Sequence, residues 1–379
     1  MGVRMAGVLV KPVRSWLDRR RFLDLPWSLY RNDPNWIPPL RHNAAELLNY
    51  RRHPFYDNAE IQTFLAYRDG QIVGRIAAII NRPHNQRYHE QRGFFGFFES
   101  VDDRAVSDAL FDAARAWLTE RGMTTFRGPA NPSMNYECGL LTRGFDSPPT
   151  FMMTYNPAYY VPLVEGYGFK KGHDLYAYSG NRGELPKVDE RMLGISETAL
   201  NFSNATIRSI SVKNFDHDVD LFIDLYNASL IVNWGFVPLE PPEMRKLAES
   251  MRHLLIPQLT TFAEVEGRAV GAVFGMPDYN PRIKKINGRL FPFGVFTLLS
   301  KKKDFKRIRV ISINVVPEYQ KWGLGLSLML SLVPKALEMN VQEGEFSWIS
   351  EDNELARKGL EKCGIRVTKE FRMYDLDGK

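Results

Sequence analysis

The fold is decided by the stretch Val315-Val316-Pro317-Glu318-Tyr319-Gln320-Lys321-Trp322-Gly323-Leu324-Gly325-Leu326, which follows an apolar run and opens an apolar, helix-like segment. Two glycines one residue apart permit a tight turn whose backbone N–H groups converge on an anion, and the following helix adds the positive end of its dipole. The stretch therefore predicts a strand-to-helix turn that binds a pyrophosphate. Because Gly-x-Gly alone is a weak signal, an ordinary glycine turn is the alternative.

A second element follows in the order Ser347-Trp348-Ile349-Ser350-Glu351-Asp352-Asn353, then Ala356, then Glu361-Lys362-Cys363-Gly364. Together with V-x-P-x-x-Q-x-x-G-x-G it resembles the signature of the GNAT superfamily, the acyl-CoA-dependent N-acyltransferases. Members of that superfamily carry a strand, an Asn at a helix start, an Ala three residues later and a Gly after the helix. The resemblance covers much of residues 205–379.

The resemblance implies a site for acetyl-CoA or a longer acyl-CoA as co-substrate. In it, the strand ending at Val315 splays from its neighbour and pairs with the pantetheine arm, backbone amides hold the pyrophosphate, and Asn353 bonds the pantetheine or simply caps its helix. The implied binding residues are Asn314, Val315, Val316, Gln320, Lys321, Trp322, Gly323, Leu324, Gly325, Leu326 and Asn353.

The catalytic acid and base are where the resemblance fails. Leu360 stands where many members have a tyrosine, and Arg309 and Ile311 stand where they have a Glu or His. Neither of these two is a plausible general base. The nearby polar side chains are those of Ser312, Glu351 and Tyr374, and each has a plain structural explanation. No catalytic residue is therefore assigned from the sequence.

An internal repeat indicates two copies of one fold. Residues Thr63–Gly74 resemble Thr261–Gly271, each as a hairpin with a glycine-containing turn, and Asn156 follows the first hairpin at the distance at which Asn353 follows the second. The sequence thus predicts an α/β protein of the α+β type with a mixed sheet, consisting of two tandem GNAT-like folds. The expected domains are residues 1–185 and 207–379, joined by a linker at 186–206.

The first copy lacks the glycine turn. Its strand at 93–100 runs into Val101-Asp102-Asp103, which places two carboxylates near the expected phosphate position. Asp102 or Asp103 suits the N-cap of a helix at 105–120. We therefore predict that the N-terminal copy is degenerate and binds no coenzyme.

Composition sets further limits on the 379-residue chain. Its two cysteines, Cys138 and Cys363, exclude a disulfide framework and a cysteine-rich metal site, and no metal is expected. The most apolar stretch, Leu290 to Leu299, is too short to span a bilayer and is interrupted by Pro292 and Gly294. It is expected to be a buried strand, and the protein is expected in the cytoplasm.

Basic residues cluster between Arg282 and Arg309, opposed by Asp304 alone. Such a cluster suits a coenzyme phosphate, an acidic protein, RNA or a membrane surface, or is a solvated loop. Three functions stay open at this point. They are an N-acyltransferase acting on a small-molecule or peptide amine, a tRNA-dependent aminoacyl transferase, and a non-catalytic acyl-CoA-binding or interaction protein.

Overall fold

The computed structural model describes residues 3–5, 7–183, 190–300 and 304–378. The chain forms two compact units. Unit 1 comprises Met1–Leu175, Asn280–Gly294 and Lys369–Lys379, and unit 2 comprises Tyr176–Tyr279 and Val295–Thr368. Two long strands, Lys170–Asn181 and Arg366–Asp377, are therefore each divided between the units.

The elements alternate between strands and helices along the chain. The first part contains β1 (Val3–Met5), β2 (Val8–Pro12), α1 (Trp16–Leu29), α2 (Arg41–Leu47), β3 (Ala59–Arg68), β4 (Gln71–Asn81), α3 (Arg82–Tyr88), β5 (Arg92–Ser100), α4 (Arg104–Thr119), β6 (Thr125–Gly128), β7 (Ala130–Asn131), β8 (Glu137–Cys138), β9 (Leu140–Arg143), α5 (Tyr160–Tyr167) and β10 (Lys170–Asn181). The second part contains α6 (Glu190–Ser203), β11 (Ala205–Ser209), α7 (Phe215–Leu230), α8 (Pro241–Met251), β12 (Thr260–Val265), β13 (Arg268–Pro277), α9 (Asn280–Lys285), α10 (Gly294–Leu299), β14 (Arg307–Val315), α11 (Leu324–Ser331), α12 (Val333–Glu338), β15 (Glu343–Ser350), α13 (Glu354–Lys362) and β16 (Arg366–Asp377).

The sheet of unit 1 has the strand order β1-β2-β3-β4-β5-β6-β16, in which β5 and β6 are parallel. Helix α4 covers this sheet with a buried face that includes Val106, Leu110 and Phe111. The Asp103 carboxylate accepts hydrogen bonds from the N–H groups of Ala105 and Val106, which confirms the predicted N-cap.

The sheet of unit 2 has the order β10-β15-β14-β13-β12-β11, with β14 and β15 parallel. The predicted hairpin is β12–β13, and its turn at Glu266 and Gly267 has positive φ at both residues. The sheet is thus mixed, as predicted. Residues 186–206, predicted as a linker, contain α6 and the start of β11, while 186–189 lie outside the described residues.

The prediction of a buried strand at Leu290–Leu299 is wrong. The segment forms a turn followed by the short helix α10, and Phe291, Phe293 and Phe296 are exposed. Pro292 has no N–H to donate to a ladder, so the apolar composition of this segment does not produce a strand. The cluster's Lys301, Lys302 and Lys303 lie outside the described residues.

Candidate acyl-CoA site

The predicted glycine turn lies in unit 2. After β14, a 3₁₀ helix at Pro317–Trp322 leads to Gly323, whose φ of 85° is in the left-handed region, and α11 begins at the next residue. Residues with a Cβ adopt this backbone only with strain, so the turn requires glycine there. Gly325 lies inside α11 instead. The turn itself therefore needs only one of the two glycines.

Beside this turn, two parallel strands separate. The pairing of β14 with β15 runs from Arg307↔Glu343 to Val310↔Phe346 and then ends, although β14 continues to Val315 and β15 to Ser350. A register shift against β13 falls at the same level of β14 and bends the strand. The splayed strand implied by the resemblance is thus confirmed, and we call the space between the two diverging strands the unit 2 gap.

Peptide groups at the end of β14 point into this gap. The Val316 N–H donates to the Val270 C=O of β13 at 3.0 Å. Since successive peptide groups alternate between the two sides of a strand, those of Ile313 and Val315 point away from β13. Gln320 Nε2 donates to the Val315 C=O at 3.0 Å, which fixes the start of the turn against the strand.

Asn314 has a different place from its neighbours. Its side chain is fully buried, where Oδ1 accepts from Ser229 Oγ at 3.0 Å and Nδ2 donates to Ser312 Oγ at 3.0 Å. Its backbone is paired with Ala272 of β13. Asn314 thus attaches β14 to α7 and β13, while the peptide groups of Val315 face the gap.

The N-terminal turn of α11 leaves space on the side of the gap. A Cβ built on Gly325 would meet only Ile313 Cγ2, at 3.8 Å, which is an ordinary contact. Leu324 is buried in the unit, whereas Lys321 and Trp322 are exposed. The arrangement therefore combines a helix N-terminus, an uncrowded glycine and outward-pointing strand peptides, which suits an elongated anionic ligand.

Helix α6, which falls within the segment predicted as a linker, lies against the same turn. Ser196 Oγ donates to Ser327 Oγ of α11 at 3.0 Å, and a Cβ on Gly323 would approach Ala199 Cβ to 3.3 Å. Between them opens a mainly apolar cavity of about 440 Å³. It is lined by Gly194, Ile195, Thr198, Ala199, Phe202 and Trp322.

The second signature element forms a capped helix. Asn353 Oδ1 accepts from the Ala356 N–H at 3.1 Å, so the side chain caps α13. A helix cap was one of the two roles expected for Asn353. Leu360, at the position of the expected tyrosine, is buried among apolar neighbours.

The polar candidates for catalysis belong to different units. Tyr374 lies in unit 1, where its hydroxyl donates to Glu165 Oε1 at 2.9 Å, while Ser312 and Glu351 lie in unit 2. The Glu351 C=O accepts from Arg357 Nη1. No catalytic acid or base is therefore assigned among these three residues.

Arg309 is the largest fully buried polar side chain of the site, with 1% exposure. Its Nε donates to Ser347 Oγ at 2.9 Å and its Nη2 to the Ser347 C=O at 3.0 Å, and Ser347 Oγ donates in turn to Glu345 Oε1 at 2.7 Å. This chain joins β14 to β15 where their pairing ends. It therefore holds the two strands together at the closed end of the gap.

In unit 1 the corresponding gap is filled by the chain itself. The pairing of β5 with β6 ends at Phe94↔Arg127, but Asn131 Oδ1 then accepts from the Phe97 N–H at 2.6 Å. A Cβ on Gly96 would come within 1.9 Å of the Ala130 carbonyl oxygen, so the two segments are in close contact.

Two tyrosines of unit 1 also occupy the end of β5. The Ser100 N–H donates to Tyr160 Oη at 2.9 Å, and Tyr159 Oη donates to the Ser100 C=O at 2.8 Å. Glu99 accepts from Tyr30 and Tyr160, both at 2.8 Å, and burial raises the pKa of its carboxyl. These contacts support the prediction that this copy binds no coenzyme, which stays a prediction.

The described residues contain neither a metal-binding cluster nor a membrane-spanning helix. No group of three or more His, Cys, Asp or Glu side chains is arranged to hold a metal ion. In the same residues, no helix has the length and apolarity needed to cross a membrane.

The fold and the unit 2 gap define the class of protein, the tandem GNAT fold. A tandem GNAT protein from the clavulanic acid biosynthesis pathway, solved without acetyl-CoA, superposes with a TM-score of 0.58 at 12% identity, over 98% of each chain. This likeness establishes the fold alone.

Sequence comparison narrows the class to a family, although no family model matches the chain. The chain is 35% identical to the bacterial ceramide synthase of Caulobacter vibrioides (strain NA1000 / CB15N), over 98% of this chain and 97% of that protein. It is 34% identical to protein YghO of Escherichia coli (strain K12), over 96% and 94% respectively. The chain belongs to the family of these two proteins, and its fold is that of a tandem GNAT protein.

Proposed function

We propose that this protein is an acyl-CoA-dependent N-acyltransferase that transfers a fatty acyl group to the amine of a long-chain amino alcohol. The observation that carries the proposal is the unit 2 gap, in which strand pairing ends at Val310↔Phe346 beside the turn at Gly323. The relative named a ceramide synthase supports the lipid acceptor, because a ceramide is an amide of that kind.

In this reaction the amine nitrogen attacks the thioester carbonyl, a C–N bond forms, and the C–S bond breaks to release the coenzyme thiolate. The proton lost by the amine balances the proton that the thiolate takes up. The peptide groups of Ile313 and Val315 would orient the pantetheine arm along β14, and the N-terminus of α11 would face the pyrophosphate. Orientation of this kind lowers the barrier without a dedicated side-chain base.

The apolar cavity beside Gly323 is walled by Ile195, Phe202 and Trp322. It adjoins the pyrophosphate end of the proposed site, so it is not assigned to the acyl chain. The long acyl chain of the proposed donor is supported by the relative named a ceramide synthase.

The test is a direct assay with acetyl-CoA or palmitoyl-CoA as donor and sphinganine or spermidine as acceptor, with the amide product detected by mass spectrometry. Palmitoyl-CoA with sphinganine is expected to give product and the other pairs much less. In the variant Gly325→Trp, the indole would project toward Ile313 and fill the gap, so donor binding measured by calorimetry should be lost.

Gly359→Trp is the matched control, because Gly359 lies in helix α13 with nothing within 4 Å of its Cβ position. It should bind the donor like the native chain. Equal donor binding by the native chain and Gly325→Trp would refute the proposed donor site. Donor binding without turnover on either amine would instead favour a non-catalytic acyl-CoA-binding protein.

A further inference from the structure

Three phenylalanines within six residues are turned toward solvent. Phe291 is 88% exposed, Phe293 74% and Phe296 71%. Single exposed apolar residues are common on protein surfaces, but bulky aromatic side chains so close together in the chain and so fully exposed are not. The first two lie on residues 289–294 of unit 1, which we call the aromatic turn, and Phe296 follows in α10.

The aromatic turn is held by its backbone. A Cβ on Gly294 would lie 1.9 Å from the Arg289 carbonyl oxygen, so the two ends of the turn pack together in a way that only glycine allows. The Arg289 N–H donates to the Ile286 C=O at 3.0 Å. The exposure of the two rings is therefore a consequence of a compact turn.

The base of the turn is also anchored within unit 1. The Gly288 C=O accepts from the Arg41 N–H at 3.1 Å, and a Cβ on Gly288 would come within 2.2 Å of the Pro39 carbonyl oxygen. Trp27 Nε1 donates to Asn287 Oδ1 at 2.7 Å. These contacts fix the residues that precede the turn, so the rings project from a rigid support.

The surroundings of the rings in the sequence are strongly cationic. No Asp or Glu occurs from Arg282 to Lys303. Lys284, Lys285 and Arg289, all in unit 1, are exposed. Projecting apolar side chains combined with exposed cations match an anionic lipid surface, whose headgroups attract the charges while its acyl chains accept the rings.

We propose that the aromatic turn and its exposed cations dock this protein on an anionic bilayer surface, with Phe291 and Phe293 inserted at the level of the headgroups and upper acyl chains. The described residues contain no helix able to cross a membrane, so the attachment is peripheral. RNA is the competing ligand, since it also binds cations and stacks on aromatic rings. The bilayer is favoured because Pro292 separates the two rings on a sharp turn, which suits insertion better than a flat stacking platform. The inference does not depend on the acyltransferase reaction.

The test measures co-sedimentation of the full chain with phosphatidylcholine vesicles, with and without phosphatidylglycerol. The native chain is expected to bind only the vesicles that contain phosphatidylglycerol. Phe291→Ser/Phe293→Ser should lower the partition coefficient by at least about tenfold, since each ring removes apolar area from water on insertion. Because both rings are exposed, these changes remove no core contact, and an unchanged circular dichroism spectrum verifies folding.

A charge variant, Lys284→Gln/Lys285→Gln/Arg289→Gln, should lose about fivefold per charge at low salt, with a smaller effect at high salt. The matched control is Val232→Ser/Leu355→Ser, which removes two exposed apolar side chains elsewhere (87% and 75% exposed) and should bind like the native chain.

Two results would overturn the proposal. The first is a native chain that does not bind vesicles containing phosphatidylglycerol. The second is equal vesicle binding by the native chain and the phenylalanine variant. In the second case, loss of self-association by the variant in analytical ultracentrifugation would assign the turn to contacts between copies, and loss of binding to single-stranded RNA would assign it to RNA. None of these measurements uses catalytic turnover, so they are independent of the proposed function.

Discussion

The two glycines of the turn should respond in opposite directions to the same substitution. In Gly323→Ala, alanine must adopt a φ of 85°, which costs about 1–2 kcal/mol for a residue with a Cβ. Its Cβ would also lie 3.3 Å from Ala199 Cβ, closer than an ordinary contact, which adds roughly a few tenths of a kcal/mol to the cost in stability. We expect Gly323→Ala to lower the free energy of unfolding by about 1.5 kcal/mol.

Gly325→Ala places the same methyl group in α11, two residues further on. There the Cβ has 3.8 Å to its nearest neighbour, and alanine is favoured over glycine in a helix by up to about 1 kcal/mol. Near the helix start about half of that gain is expected. The two variants should therefore differ by about 2 kcal/mol, although they differ from the native chain by the same CH₂ group.

The measurement is urea unfolding of both variants and the native chain, followed by tryptophan fluorescence and far-UV circular dichroism. Only transitions with equal slopes are compared, because a changed slope signals a changed denatured state or an intermediate. Gly323→Ala as stable as Gly325→Ala would refute the assignment of the turn to Gly323. Loss of donor binding in Gly325→Ala would contradict the space found beside it.

Three further predictions concern single side chains. Arg309→Leu, which leaves the partners around Ser347 without their buried donor, should destabilise the fold by about 3 kcal/mol in urea unfolding. Burial lowers the pKa of His84 from 6.5 to about 4. As the pH drops from 6.5 to 4, the unfolded chain therefore takes up a proton before the folded chain does, and the free energy of unfolding decreases. His84→Gln should reduce this decrease, as measured by urea unfolding at several pH values across the range. Asn131→Ala should cost about 1–2 kcal/mol, because the Phe97 N–H loses its acceptor, and a cost near zero in thermal unfolding would show that this bond is not needed.

Much of the fold follows from local signals in the sequence. The hairpin β12–β13 was recognisable because its turn falls on Glu266 and Gly267, and α4 because Asp103 stands at its start. The splay of β14 could be inferred only through the resemblance, since nothing in the residues Ile311–Val315 encodes where pairing with β15 stops.

Two features of the structure do not follow from local sequence patterns. For Leu290–Leu299, apolar composition predicts burial, but a turn with Pro292 at its centre and Gly294 at its end exposes the phenylalanine rings. For α6, a segment with Gly180, Gly183 and Pro186 at its start resembled a linker. Its helical part is fixed by a contact distant in sequence, from Ser196 to Ser327, which no local pattern contains.

The two gaps share one backbone framework and differ in what fills them. In both units a parallel strand pair separates, and the strand before the gap carries a register shift, so the backbone framework is the same. In unit 1 the peptide groups that the separating strands leave unpaired form hydrogen bonds with side chains of the same unit. Asn131 bonds the Phe97 N–H, and two tyrosines bond the peptide groups of Ser100. Buried peptide groups require partners, so a gap without internal partners must take them from water or from a ligand. In unit 2, the side-chain hydrogen bond described on the gap side of β14 runs from Gln320 Nε2 to the Val315 C=O. We therefore expect the ability to bind an extended donor to depend on which side chains fill the gap, so that a difference of a few residues would separate a binding copy from a structural one.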